Sequence, residues 1–283
     1  MEDAALSTIA PPTTERAAGA ADAPIGVFDS GLGGLSVVRE LRALMPTEDI
    51  LYFADSAYCP YGTRPPAEIT ARCLAIGDEL LAQGVKAIVL ACNTACAVAL
   101  TDLRARLDVP IVGVEPAVKP ATRLTRTQRV AVLATPRTVA SERLARLIQN
   151  FAADVEVATV AAPGLVKLVE AGDVRGPNVR RALRQLLEPL LAWEVDVVVL
   201  GCTHYPFLRG EIERLVGPEV RVVDSGEAIA RRTRAVLEER GMSRNPAGLA
   251  GSLRVQTSGD ADHVGRIASK LLDHDVATAA LWV

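Results

Sequence analysis

Short apolar runs, four to six residues long, alternate in this chain with longer stretches whose apolar positions recur every three or four residues. The short runs predict buried strands, and the long stretches predict helices with one covered face. The order opens with a strand at 24–28, a glycine-rich turn, and a helix carrying Leu35, Val38, Leu41 and Leu44 on one face. A strand at 50–53, a helix over about 66–82 ending near Gly84, a strand at 86–91, a helix to about Arg106 and a strand from Pro110 follow. The order then restarts: strand 129–133, helix 138–149, strand 155–160, short helix 163–170, helix 178–192, strand 195–200 and strand 220–223. Ser225 reads as the cap of a helix to Arg240, and 241–251 as a loop; strand 253–257, helix 261–272 and strand 276–282 close the chain.

Such alternation argues for an α/β fold with mainly parallel sheets covered by helices. The restart near 129 predicts two pseudo-symmetric αβα lobes, with the active site in the cleft between them. Residues 1–23 are rich in Ala, Thr, Pro and acidic residues without a period, and are expected to be a disordered extension.

Composition narrows the class. Hydrophobic residues are 49% and charged residues 23%, as in ordinary soluble proteins, but only 4% are aromatic, so Ala, Val, Leu and Ile must fill the core. A net charge of −3 offers no field to gather nucleic acid, and no nucleic-acid partner is inferred. No apolar stretch approaches the roughly 18–20 residues needed to span a bilayer, and no signal-peptide pattern is found near the start. The five cysteines are an odd number, which disfavours a disulfide framework and points to reduced thiols in the cytoplasm.

Two of those cysteines end apolar runs in the same way. The run 87–90 leads into Ala91-Cys92-Asn93-Thr94-Ala95, and 197–200 leads into Gly201-Cys202-Thr203-His204-Tyr205. The C-terminal ends of parallel strands are where open α/β sheets bind ligands. Several chemistries compete for these residues. Cys92, Cys96, Cys202 and His204 suggest zinc, but the spacing lacks the close pair of a structural zinc knuckle. A Cys202 nucleophile working with His204 leaves Cys92 unused. Two thiols on opposite faces of one α-carbon use both halves: one removes a proton and the other returns one, so the stereocentre inverts. An ordinary thiol has a pKa of about 8.5, and the helix N-terminus expected behind each strand would lower it. Pyridoxal phosphate would need a Schiff-base lysine, and Lys86, Lys119, Lys167 and Lys270 lie in no suitable loop. No cofactor and no metal are therefore expected.

The loop Asp29-Ser30-Gly31-Leu32-Gly33-Gly34 fits neither a dinucleotide fingerprint nor a Walker loop, since Ser36 stands in the third fingerprint position. It reads either as a tight structural turn or as an amide nest for a substrate carboxylate, with Asp29 facing an ammonium or a catalytic group.

At these residues the chain resembles the glutamate racemases of the aspartate/glutamate racemase superfamily. The resemblance rests on 25–37, Tyr52-Phe53-Ala54-Asp55 with Pro60-Tyr61-Gly62, 91–95 and 201–208, in consistent order over about 24–260. It implies a cytoplasmic, cofactor-independent isomerase that makes D-glutamate for peptidoglycan and the cell wall. Cys92 and Cys202 would be its acid and base, assisted by Asp29, His204 and Glu170. The implied substrate contacts are Asp29, Ser30, Tyr61, Gly62, Asn93, Thr94, Thr203 and His204, with Thr135 and Thr138 on a further loop at the cleft. The implied lobes are 24–115 plus 225–283 and 116–224, in a homodimer whose partner ligand is L- or D-glutamate. Cys96 departs from the family's usual small hydroxyl residue, and the leader at 1–23 lies outside the common pattern. Aspartate racemases are similar, but His204 and the long glycine loop favour glutamate.

Overall fold

A computed structural model of the chain describes residues 21–283. β1 (Ile25–Asp29), β2 (Ile50–Ala54), β3 (Ala87–Leu90) and β4 (Ile111–Gly113) alternate with α1 (Leu35–Leu44), α2 (Pro66–Ala82) and α3 (Asn93–Arg106). After α4 (Val118–Leu124), β5 (Arg129–Ala134), α5 (Pro136–Val139), α6 (Glu142–Phe151), β6 (Glu156–Ala161), α7 (Pro163–Glu170) and α8 (Pro177–Ala192) lead to β7 (Val197–Leu200). α9 (Arg209–Val216) and β8 (Arg221–Val223) complete the second run. α10 (Gly226–Glu239), β9 (Leu253–Thr257), α11 (Ala261–Leu272) and β10 (Thr278–Ala280) close the chain.

The described strands form two wholly parallel sheets, ordered β10-β9-β2-β1-β3-β4 and β6-β5-β7-β8. β1, β3 and β7 are buried along their whole length, and β3 and β7 read accordingly as unbroken apolar runs, while β1 ends in the buried Asp29. Alternate residues of β5 serve two cores. Val130 and Val132 face α4 and α6, while Ala131 and Leu133 join the larger core that continues into the first sheet's lobe. The order β2-β1-β3-β4 repeats as β6-β5-β7-β8, so the two lobes share one winding.

Four local expectations change. The helix expected through 138–149 is two, α5 and α6, because the Ser141 hydroxyl accepts from Leu144 N at 3.2 Å and starts a new helix there. The last strand shrinks from 276–282 to β10, since Val276 N bonds the Ser269 hydroxyl at 2.9 Å instead of a strand. Ser225 does not cap α10 with its side chain; its hydroxyl donates to the Glu115 carbonyl, joining the two crossings between sheets. Residues 21–23, expected within the disordered extension, are held: Lys86 Nζ donates to the Ala21 carbonyl at 2.7 Å, and Arg244 pairs with Asp22 at 3.4 Å. The rest of that extension, 1–20, lies outside the described residues. Among the described residues no helix is long and apolar enough to cross a membrane.

Candidate active site

In each sheet the chain steps from the first strand to one side and returns on the other, leaving a crevice at the strands' C-terminal ends. Cys92 stands at the mouth of the crevice between β1 and β3, and Cys202 at that between β5 and β7. Both sulfurs line one pocket, together with Ser30, Pro60, Tyr61, Gly62, Asn93 and Thr94 from the first lobe. Thr135, Val166, Thr203 and His204 close it from the second.

Each thiol has its own titratable neighbour. Cys92 lies against the Asp29–Ser30 turn, its sulfur 3.8 Å from the Ser30 hydroxyl. Asp29 is fully buried; Oδ1 accepts from Ser30 N at 2.6 Å, and Oδ2 accepts from the Thr203 hydroxyl of the other lobe at 3.0 Å. The Cys202 sulfur sits 3.7 Å from His204 Nδ1, and His204 Nε2 lies 2.5 Å from Glu170 Oε1. Glu170 Oε1 also accepts from Leu32 N of the glycine loop at 2.7 Å. The anion on that loop's amide is thus the protein's own Glu170, where the sequence suggested a nest for the substrate carboxylate. The glycines serve that approach: a Cβ on Gly31 would strike Glu170, and one on Gly33 would strike the His204 ring.

Electrostatics separates the two halves. Burial works against charge on His204, yet its hydrogen bonds, that with Cys202 foremost, hold the imidazole pKa well above the usual value. Burial likewise opposes charge on Glu170, but the bond to His204 and its charge, with the Leu32 amide and Cys59, together outweigh it and hold the carboxyl below its usual range. Glu170 and His204 therefore form an ion pair, with the cation beside Cys202. On the other side, burial and then the Asp29 charge push the Cys92 thiol far up. Burial also raises Asp29. The expected lowering by a helix N-terminus is overturned at Cys92: α3 starts directly behind it, but desolvation dominates. Behind Cys202 only a short turn of 3-10 helix (Tyr205–Leu208) follows, and α9 begins at Arg209, so no α-helix starts directly after that cysteine in the chain.

Ser30, Asn93, Thr94, Thr135 and Thr203 line the same pocket as the two cysteines. Thr94 and Thr135 share a hydrogen bond of 2.9 Å across the lobes, and the Thr135 hydroxyl lies 3.0 Å from that of Thr138. Asn93 Oδ1 is buried without a hydrogen-bond partner, an arrangement that a protein normally avoids unless a ligand answers it. Tyr61 lines the pocket with its phenol turned away, donating to Asp55 Oδ2 at 2.5 Å.

A family model, Asp/Glu/hydantoin racemase, matches residues 34–233. The chain belongs to the Asp/Glu/hydantoin racemase family. It is an amino-acid racemase, an isomerase. The glutamate racemase of Pseudomonas aeruginosa is 50% identical over 87% of this chain and 92% of its own length. A glutamate racemase of Bacillus anthracis superposes with a TM-score of 0.84 at 30% identity, covering 92% of this chain and 97% of that one. The Escherichia coli glutamate racemase, solved with L-glutamate and the activator UDP-MurNAc-ala, gives 0.81 at 35% identity, covering 91% and 97%.

Some parts of this racemase's site carried little local signal. The Ser36 hydroxyl lies 2.8 Å from the Thr203 carbonyl and ties α1 to the Cys202 loop. Arg72 grips Asp55 with two hydrogen bonds, of 2.7 and 3.0 Å, behind Tyr61. An arginine inside the apolar stripe Ile69, Cys73, Ile76 was the available hint, because a charge on a buried helix face needs a partner. The imagined zinc set is not assembled: Cys96 is turned into the core, its thiol donating to the Leu90 carbonyl at 3.3 Å.

Proposed function

We propose that this racemase interconverts L- and D-glutamate without a cofactor, with Cys92 and Cys202 exchanging protons on opposite faces of the α-carbon. The observation that carries the reading is the pairing across the pocket: one sulfur from each lobe, each beside its own titratable group. One sulfur acts as thiolate and takes the α-proton; the other acts as thiol and delivers a different proton to the opposite face. The enzyme is left with the two roles exchanged. The His204 imidazolium supports negative charge on Cys202, and Asp29 works beside Cys92.

An α-proton is a weak acid, so the substrate carboxylate must be stabilised as charge develops on it. Hydroxyl, amide and backbone N–H donors from Ser30, Asn93, Thr94 and Thr203 can do this in a site sealed from water, Thr203 through its backbone N–H while its hydroxyl holds Asp29. The unpartnered Asn93 Oδ1 suits the substrate ammonium. Glutamate is supported as substrate by the relatives' activity and by the L-glutamate in the Escherichia coli structure. The cavity between the thiols is only about 10 Å³, room for roughly one water. The lobes must therefore part to admit glutamate and close again for the chemistry. The same reading takes the lobes as 24–115 plus 225–283 and 116–224. It also takes the protein as a cytoplasmic homodimer and its D-glutamate as a peptidoglycan precursor, all supported by the family resemblance.

Racemisation in D₂O tests the proposal. Deuterium should enter the α-position of glutamate with no added cofactor, and aspartate should stay unlabelled. Cys92→Ser and Cys202→Ser should each abolish racemisation. Appreciable inversion by the double serine variant would exclude the two-thiol mechanism, and glutamate binding without α-exchange would make the protein a binding module.

A further inference from the structure

We propose that Cys59 Sγ, Glu170 Oε1 and His204 Nε2 form a zinc-binding site behind the substrate pocket, and that zinc held there clamps the lobes together and stops turnover. The three ligand atoms lie within 4.8 Å of one another. Thiolate, carboxylate and imidazole are zinc's ordinary ligands. Bonds of about 2.0–2.3 Å in a tetrahedron separate ligand atoms by roughly 3.3–3.7 Å. Glu170 Oε1 and His204 Nε2, now 2.5 Å apart, need only part slightly to reach that spacing.

The surroundings allow entry. Cys59 and Glu170 are partly exposed while His204 is buried, so an ion can arrive from the Cys59 side and keep a water as fourth ligand. Only a glycine at 31 lets two of the ligands approach the loop this closely; a Cβ there would stand 2.9 Å from Cys59 Sγ and would collide with Glu170 Oε1. Cys59 is not among the residues lining the substrate pocket. Burial holds its thiol near a pKa of about 12, so the ion must displace that proton, as coordinated thiols generally require. On binding, the Cys59 proton and the proton between His204 and Glu170 leave to solvent, and three metal–ligand bonds form.

Cys59 belongs to the loop after β2 in the first lobe, whereas Glu170 and His204 belong to the second. A metal on all three bridges the cleft. Its inhibitory effect rests on the proposed opening of the lobes for substrate; its binding does not.

Metal-free protein titrated with zinc chloride, and separately with cobalt chloride, provides the test. Wild type should lose racemase turnover near one equivalent of zinc and regain it with a chelator. With cobalt it should develop a thiolate-to-metal charge-transfer band. Cys59→Ser and Cys59→Ala should keep basal turnover, lose the band and need at least about tenfold more zinc. An unchanged band in both variants would put the metal on another of the chain's cysteines and overturn the site. Absence of a band in wild type would do the same. The cobalt spectrum is independent of turnover, so it remains informative even if the protein does not racemise glutamate.

Discussion

Gly33 and His204 are packed so closely across the two lobes that a Cβ on Gly33 would run into the imidazole. The contact fixes the ring that faces the Cys202 sulfur. Gly33→Ala should therefore displace His204 and lower kcat by about 10²-fold, the scale of a misplacement of about 1 Å at a reacting group. Steady-state kinetics on folded protein checks this, and wild-type turnover would mean that the ring tolerates displacement.

Removing the charge of Glu170 tests its hold on His204. Glu170→Gln keeps the shape but takes away the anion that favours the imidazolium. The alkaline limb of the kcat–pH profile should move to lower pH. An unmoved limb would assign that limb to another group.

The same pair gives a signed stability profile. His204 is raised in the folded state, so its contribution is complete below its ordinary pKa of 6.5 and fades as pH rises through the folded value. Glu170 is lowered, so its contribution is complete above its ordinary 4.5 and fades as pH falls through its folded value. Denaturation midpoints should be highest between about 4.5 and 6.5 on account of this pair, and the double variant Glu170→Gln/His204→Gln should flatten both sides.

Asn93→Ala and Thr94→Ala should weaken KM and kcat together, because contacts to the substrate's charged groups persist into the transition state. Unchanged kinetics would remove either residue from the site.

Tyr61→Phe should lower stability by about 1.5–3 kcal/mol, the usual scale for a buried hydrogen bond to a charged group. Asp55 would still be held by Arg72 and by Ser258, whose hydroxyl donates at 2.7 Å, so the fold should survive. Urea midpoints measure the loss.

Local chemistry determined much of this molecule. The short, unbroken and largely β-branched apolar runs at 87–90 and 197–200 marked strands buried on both faces, which put Cys92 and Cys202 just past strand ends. Repetition of the order near 129 likewise determined two lobes, since each parallel sheet needs its own covering helices. Tertiary structure decided which groups face each other. Leu32 and Glu170 are 138 residues apart in the chain, so nothing local could reveal that the glycine loop receives a protein carboxylate. The charge states followed from the same closure. A helix N-terminus next to Cys92 is visible in the sequence, but the depth of burial that outweighs it exists only after the two lobes meet over Asp29.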